Sequence, residues 1–435
     1  MSRTKTRRTV AGVTGAVVAS LALVACGGES GESGGGAGAS EFGLSINDDN
    51  QIVQDELTTL STGACKAEND ALPLAISTMP ISDVDQKVQL LASQDALPAQ
   101  FAAGGTPALT KQLDEAGQVV DLEATLKDLG VWENVQPAAI TTVENLYGGF
   151  KVMPYQFNIE GIWFNKTMFA DLGIAQPTTF DELLAAADTI KAAGFTPFSA
   201  SGDAGWPITR LISGYLYRDL GPDAMQAVAD GTAELTDPEY VEAAQAIADM
   251  GAKGYFGEGV GSIDYDTAVQ QFVTGKAGMF YMGSWELGTF NDETKNQIGA
   301  DAVGYMSFPE VAGGSGSADQ IPANVGLPIA VSKKDYNDQV GDWLTCIGEN
   351  YGTGSLKDQG TISGFKPTTD PGPLPALTQQ VQDTIDSTTT SVLWFEALFN
   401  TKATDTSQKG AASLVTGQLT PDAFMASVQA DLDAG

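Results

Sequence analysis

The chain has 435 residues, 43% of them hydrophobic, and carries 55 acidic against 22 basic residues for a formal charge of −33. That length accommodates two or three domains at the usual ~150 residues each, and the acidity excludes nucleic acid as a partner because phosphate binding needs a basic surface. Histidine is absent from the sequence, which removes Ser-His-Asp and Cys-His nucleophile systems and His-ligated zinc; a glycosidase built on two carboxylates stays open.

The first residues read as a leader. Arg3, Lys5, Arg7 and Arg8 make a basic head, and residues 10–25 are apolar but broken by Gly12, Thr14 and Gly15, so the run is shorter than the ~20 residues of a membrane span. A signal peptide over 1–25 is expected. It ends in Leu23-Val24-Ala25-Cys26, the residue order of a bacterial lipobox, which makes Cys26 the expected lipidated N-terminus. Arg7-Arg8 raises twin-arginine export, but the residues after the pair fit that signal poorly and the general pathway is favoured. Residues 26–40 are then the lipidated cysteine and a flexible Gly/Ser linker, with 27–40 reaching roughly 20 Å. Gly34, Gly36 and Ala39 satisfy the spacing of a dinucleotide fingerprint, yet no strand precedes them and no helix follows, so the match is discarded.

Beyond the linker, strands and helices alternate. A short strand is expected over 41–46, a helix over 51–62 with Ile52, Leu57 and Leu60 on its apolar face, a strand over 72–77, and a helix marked by Val84, Val88, Leu91 and Leu97. Thr179-Phe180-Asp181-Glu182 is a capping box, opening a helix through Leu183, Leu184, Ala187 and Ile190 that stops at Gly194. Asp237-Pro238 opens another, with aspartate as N-cap and proline at the first helical position. This order indicates an α/β body with mainly parallel sheets. Cys65 and Cys346 are the two cysteines left after Cys26; an oxidising compartment favours a disulfide between them over two buried thiols.

Residues 272–287, FVTGKAGMFYMGSWEL, run an apolar strand through Met279, Phe280 and Tyr281 and then place Trp285 just past its end. A tryptophan there either packs into the core or offers a flat face to a ligand. The matching segments Leu97-Pro98-Ala99-Gln100-Phe101 with Gly104-Gly105, Tyr147-Gly148-Gly149 with Met153-Pro154-Tyr155, Ile162-Trp163-Phe164-Asn165-Lys166, residues 177–183 (PTTFDEL), residues 272–279 with Gly283-Ser284-Trp285, and Leu393-Trp394-Phe395-Glu396 follow one another in order. From about Glu41 to its end the chain therefore resembles the extracellular solute-binding proteins of bacterial ABC importers, in the oligosaccharide-binding branch that includes maltose-binding protein. It departs from that pattern where Gln100 stands in place of a common aspartate and where its first strand is shorter and less apolar.

The resemblance implies an α/β, two-lobed periplasmic-binding-protein-like fold with a hinge and an interlobe ligand cleft: lobe 1 from 41–157 and 328–372, lobe 2 from 158–327 and 373–435. Chain crossings are expected near Asn158, near Gly326-Leu327-Pro328 and over 371–375, since a hinge needs a few loop residues that absorb backbone rotation. Ligands of open α/β sheets bind beyond the carboxyl ends of strands, and an indole face suits the C–H face of a sugar ring. Trp285, Trp394 and Trp206 are the expected platforms, with Trp394 opening a helix over 395–400 and Trp206 in a loop before a helix that begins at Pro207. Trp132, Trp163 and Trp343 are assigned to packing. Asn158, Glu286 and Glu396 are the expected hydrogen-bonding partners in lobe 2, and Asp48, Asp49, Gly105 and Thr106 in lobe 1.

The function implied is the membrane-anchored binding component of an ABC sugar importer, a monomer without enzymatic activity, cofactor or metal, whose partners are an oligosaccharide and the permease subunits. A receptor for a polyamine or other cationic solute is the alternative, which an acidic, aromatic cleft also suits. A secreted glycosidase is the third reading.

Overall fold

A computed structural model of the chain describes residues 39–48, 50–80, 83–104, 107–388 and 390–434. The leader, Cys26 and the linker up to residue 38 lie outside these residues, as do Asp49, Gly105 and Thr106.

Two sheets organise the described chain. Strands β1 (Phe42–Asn47), β2 (Leu74–Met79), β3 (Gln100–Ala102) and β9 (Ile329–Val331) form the first, in the order β2-β1-β3-β9. The second contains β4 (Asn158–Asn165), β5 (Thr196–Ser199), β6 (Ala277–Gly283), β7 (Val303–Met306), β8 (Ile321–Asn324) and β10 (Ser391–Val392), in the order β10-β8-β4-β6-β5 with β7 also paired to β4. The chain consequently passes between the sheets three times: between β3 and β4, between β8 and β9, and between β9 and β10.

Strands β1, β4 and β6 are buried along their whole lengths, as befits strands covered on both faces by helices. The expected predominance of parallel pairing holds only in the first sheet, where β1 runs parallel to β2 and β3. In the second, β4 is antiparallel to β6, β7 and β8. Hydrophobic periodicity marks where strands and helices are but carries no strand direction, and all three antiparallel pairs of this sheet are made by β4 with segments far along the chain.

Local signals placed most elements well. The helix Gln51–Thr62 has its expected bounds, and the Thr179 capping box forms: Glu182 N donates to Thr179 Oγ1 at 3.2 Å, while Glu182 Oε2 accepts from the backbone N–H groups of Thr178 and Thr179. The helix Val84–Ser93 ends before Leu97 because Asp95 takes a left-handed conformation, φ 53°. Leu97 is buried beyond that turn. Pro238 does begin the helix Pro238–Ala252, but the Asp237 carboxylate turns back to accept from Glu234 N at 2.9 Å instead of capping the helix.

Two of the tryptophans assigned to packing are fully buried. Trp343 stacks on Phe42 with ring centroids 4.6 Å apart and donates to Leu72 O at 2.8 Å, and Trp163 donates to Met282 O at 2.8 Å. Trp132 is half-buried, edge-on to Phe150. Cys65 and Cys346 are disulfide-bonded, with Cα atoms 5.7 Å apart, tying the end of the first helical segment to the helix Asp338–Asp358 across 281 residues.

Candidate ligand-binding site

The site is assembled where β6 leaves the core. After Gly283 the residues Ser284–Glu286 make a single tight turn that sets Trp285 half-buried and Glu286 buried. The turn folds the indole back over its own strand, and a Cβ on Gly283 would lie 1.9 Å from Trp285 Cζ3, so the indole can take this place only over a glycine. A second close approach starts the neighbouring helix, Trp206–Asp219. Gly205 has φ 73° and would place a Cβ 1.9 Å from Gln408 O, while Pro207 suits a first helical turn whose N–H groups need no partner within the helix. That helix includes Trp206 itself, one residue earlier than expected.

The indoles form a connected wall. Trp206 and Trp285 meet edge to face, centroids 5.7 Å apart and planes at 62°, and Tyr265 lies 6.3 Å from Trp206. Trp285 Nε1 donates to the Tyr265 hydroxyl at 2.9 Å, and that hydroxyl donates to Glu286 Oε1. Burial and then the Glu286 carboxylate drive the Tyr265 phenol far above its ordinary value, so it stays a donor. Trp394 joins from the segment after β10, also half-buried. The helix expected over 395–400 is instead a turn through 395–398; the Glu396 side chain in it accepts from Thr209 Oγ1 and Ser407 Oγ.

Arg210 links these parts. Its guanidinium carbon lies over the Trp206 ring at 5.0 Å and over the Trp394 ring at 5.2 Å. Nη1 donates to Glu160 Oε2, and Nε approaches Glu396 Oε2 at 3.7 Å. Burial works against the Arg210 charge, but Glu160 and then Glu396 outweigh it and hold the guanidinium above its ordinary value. Glu396 is the less tightly held of the two carboxylates, and burial pushes its value up against Arg210, Thr209 and Ser407. On the far side of Glu160, Asn324 Nδ2 donates to Glu160 Oε1 at 2.9 Å, and Asn324 Oδ1 accepts from Asn158 Nδ2 at 3.2 Å.

One network thus contains Trp285, Trp394, Trp206, Asn158, Glu286 and Glu396. Each of the two glutamates expected to flank the platforms has its Oε1 engaged by protein donors, Glu286 by Tyr265 and Glu396 by Thr209 and Ser407. Asp48 is an exposed turn residue after β1, its backbone N donating to Met79 O at 2.8 Å. Asp49, Gly105 and Thr106 lie outside the described residues. Sequence reasoning missed Arg210, Glu160, Asn324 and Tyr265. Two of these had a usable signal: Arg210 is four residues after Trp206 on one helix, and Glu160 is two after Asn158 on one strand face.

A groove of about 500 Å³ between the helices Pro238–Ala252, Thr401–Val415 and Pro421–Leu432 contains none of these side chains. Cys65, Glu68 and Cys346 cluster closely enough to hold an ion, but both sulfurs are consumed by the disulfide. Among the described residues no helix is long and apolar enough to cross a membrane.

Residues 76–350 match the family model described as bacterial extracellular solute-binding protein. The chain belongs to that family. The solute-binding protein is 26% identical over 300 residues to a probable sugar-binding periplasmic protein of Rhizobium meliloti, covering 63% of this chain and 71% of that one. A probable sugar-binding periplasmic protein of Brucella melitensis is 27% identical over 261 residues, 55% of this chain and 60% of its own length. Among solved structures, a chitin oligosaccharide binding protein superposes with a TM-score of 0.75 at 25% identity, over 91% of this chain and all of that one. A probable secreted solute-binding lipoprotein from Streptomyces coelicolor superposes at 0.76 with 17% identity, over 92% of this chain and 100% of that one. The solute-binding protein therefore has the mixed α/β, two-lobed fold of an extracellular receptor, and its relatives are binding proteins rather than enzymes.

Proposed function

We propose that this solute-binding protein is the sugar receptor of an ABC importer, taking a neutral oligosaccharide against the wall made by Trp206, Trp285 and Trp394. The observation that carries the reading is the state of the carboxylates around those rings. Glu160 is bonded at both oxygens by Arg210 and Asn324, Glu286 Oε1 by Tyr265, and Glu396 Oε1 by Thr209 and Ser407, with Arg210 Nε 3.7 Å from Glu396 Oε2. The Arg210 guanidinium lies between Glu160 and Glu396 as their counter-charge and would repel a bound cation. A sugar ring asks for the opposite arrangement: apolar faces to stack on and hydrogen-bonding groups at their edges. The same engagement argues against a glycosidase, which needs two carboxyl groups free to face the scissile bond. The names of the relatives, sugar-binding and chitin oligosaccharide binding, support the same class.

In this reading residues 41–157 and 328–372 make one lobe and 158–327 and 373–435 the other, hinged near Asn158, at Gly326-Leu327-Pro328 and over 371–375. The three passages of the chain between the two sheets support that division. Closure would carry lobe 1 onto the aromatic wall, with Asp48, Asp49, Gly105 and Thr106 as its contributions. Cys26 would carry the lipid that holds the monomer at the outer face of the membrane, beside the permease it supplies.

Thermal shift of the mature protein against a panel of neutral oligosaccharides and polyamines tests the class. Stabilisation by at least one oligosaccharide and by no polyamine is expected; the reverse pattern would replace sugar by cation.

A further inference from the structure

We infer that Arg210 is a positioning residue for the binding wall, fixing Trp206 and Trp394 relative to each other and to the strands that carry the chain between the sheets. Three observations converge on it. The two indoles come from distant parts of the chain, the start of the helix Trp206–Asp219 and the segment after β10, and Arg210 lies over both rings, at 5.0 and 5.2 Å. A planar guanidinium can lie against aromatic faces while its edge donates to carboxylates, which an ammonium cannot do at once. Its edge is bound: Glu160 holds Nη1, and Glu396 Oε2 lies 3.7 Å from Nε.

Glu160 leads onward. Through Asn324 Nδ2 at 2.9 Å it reaches the side chain whose Oδ1 accepts from Asn158 Nδ2 at 3.2 Å and from Gly326 N at 3.0 Å. Asn158 and Asn324 face each other in register at the ends of β4 and β8. Arg210 is only 12% exposed, so its part is to hold the rings. A chain of bonded groups thereby runs from two of the passages between the sheets to the wall, and rotation of the backbone at those passages is coupled to the placing of the indoles.

The affinity arm of the test rests on the sugar reading; the spectroscopic arm does not. Arg210→Met alone would strand two buried carboxylates and could unfold the lobe, so the informative variant combines Arg210→Met with Glu160→Gln and Glu396→Gln, beside Arg210→Lys. Each is compared with wild type by thermal melting, by near-ultraviolet circular dichroism of the indoles, and by titration with chitotriose and stachyose as probes. If Arg210 positions the rings, the triple variant melts within a few degrees of wild type but has an altered indole spectrum, and affinity for any probe that wild type binds falls roughly 5- to 30-fold. Lysine should restore only part of either signal. A triple variant with the wild-type spectrum and affinity would reduce Arg210 to the counter-ion of its carboxylates and overturn the inference. If wild type binds neither probe, the spectra decide on their own: a change upholds the positioning role whatever the ligand class, and no change overturns it.

Discussion

Gly283 lies beneath the indole of Trp285, so close that a methyl group added to it would sit 1.9 Å from the ring. The glycine ends β6, and its lack of a side chain is what lets the following turn lay the indole back beside Trp206 and Tyr265. Gly283→Ala should therefore displace Trp285 while leaving the strand's backbone pairing with β4 intact. We expect ligand affinity to fall roughly 5- to 150-fold, the loss of a surface worth ~1–3 kcal/mol. Tryptophan emission should shift to the red as the ring moves into water. Unchanged emission would mean that the strand yields instead of the indole.

Reduction of the Cys65–Cys346 bridge should destabilise the protein without disarming it. The bridge closes a loop of 281 residues, and a constraint of that span on the unfolded chain is worth on the order of 2–5 kcal/mol. Melting of the Cys65→Ser, Cys346→Ser double variant should come several degrees lower than wild type, with the affinity of the folded protein preserved because neither sulfur lies in the aromatic network.

Glu56 predicts the pH dependence. Burial first, and then the nearby Asp358 charge, push its carboxyl from 4.5 up to about 7, and neither of its oxygens has a hydrogen-bond donor among the described residues. The folded state therefore holds this proton where the unfolded chain has lost it. Stability falls as pH rises from about 4.5 to about 7 and stays at the lower value above that. Glu56→Gln should remove the penalty, on the order of 1–3 kcal/mol, so the variant should gain in melting temperature at pH 8 and gain little at pH 4.5. An equal gain at both values would locate the effect elsewhere.

Cys26→Ser should release the protein from the membrane fraction of its native cell and leave binding by the soluble body unchanged. Recovery of the wild type wholly in the culture fluid would contradict the anchor.

What could be read in advance followed from the range of each signal. The Thr179 capping box and the helix Gln51–Thr62 are set by neighbours three or four residues apart, and both took the expected form. Strand direction in the second sheet depends on which distant segment β4 meets, and no local pattern encodes it. At the site, Trp206 and Trp285 stood out in the sequence because a tryptophan just after a glycine turn or a strand end is legible as a single residue. For Arg210 the helical spacing from Trp206 was legible, but its other partners were not, since they are Trp394, 184 positions away by residue number, and a glutamate on β4. The helix expected over 395–400 gives way to a turn over 395–398, where the Glu396 carboxylate is drawn inward to Thr209 and Ser407 and towards Arg210.

The central claim is that a sugar stacks on the wall that Trp285 builds, and calorimetric titration of Trp285→Ala with the oligosaccharide that most stabilises wild type tests it most directly. The account predicts a dissociation constant raised roughly 5- to 150-fold, with the ligand-free protein melting close to wild type because the ring is only half-buried. An unchanged dissociation constant would contradict it. So would a collapse of ligand-free stability by the ~3–5 kcal/mol typical of a truncated core tryptophan, which would return Trp285 to the packing of the lobe.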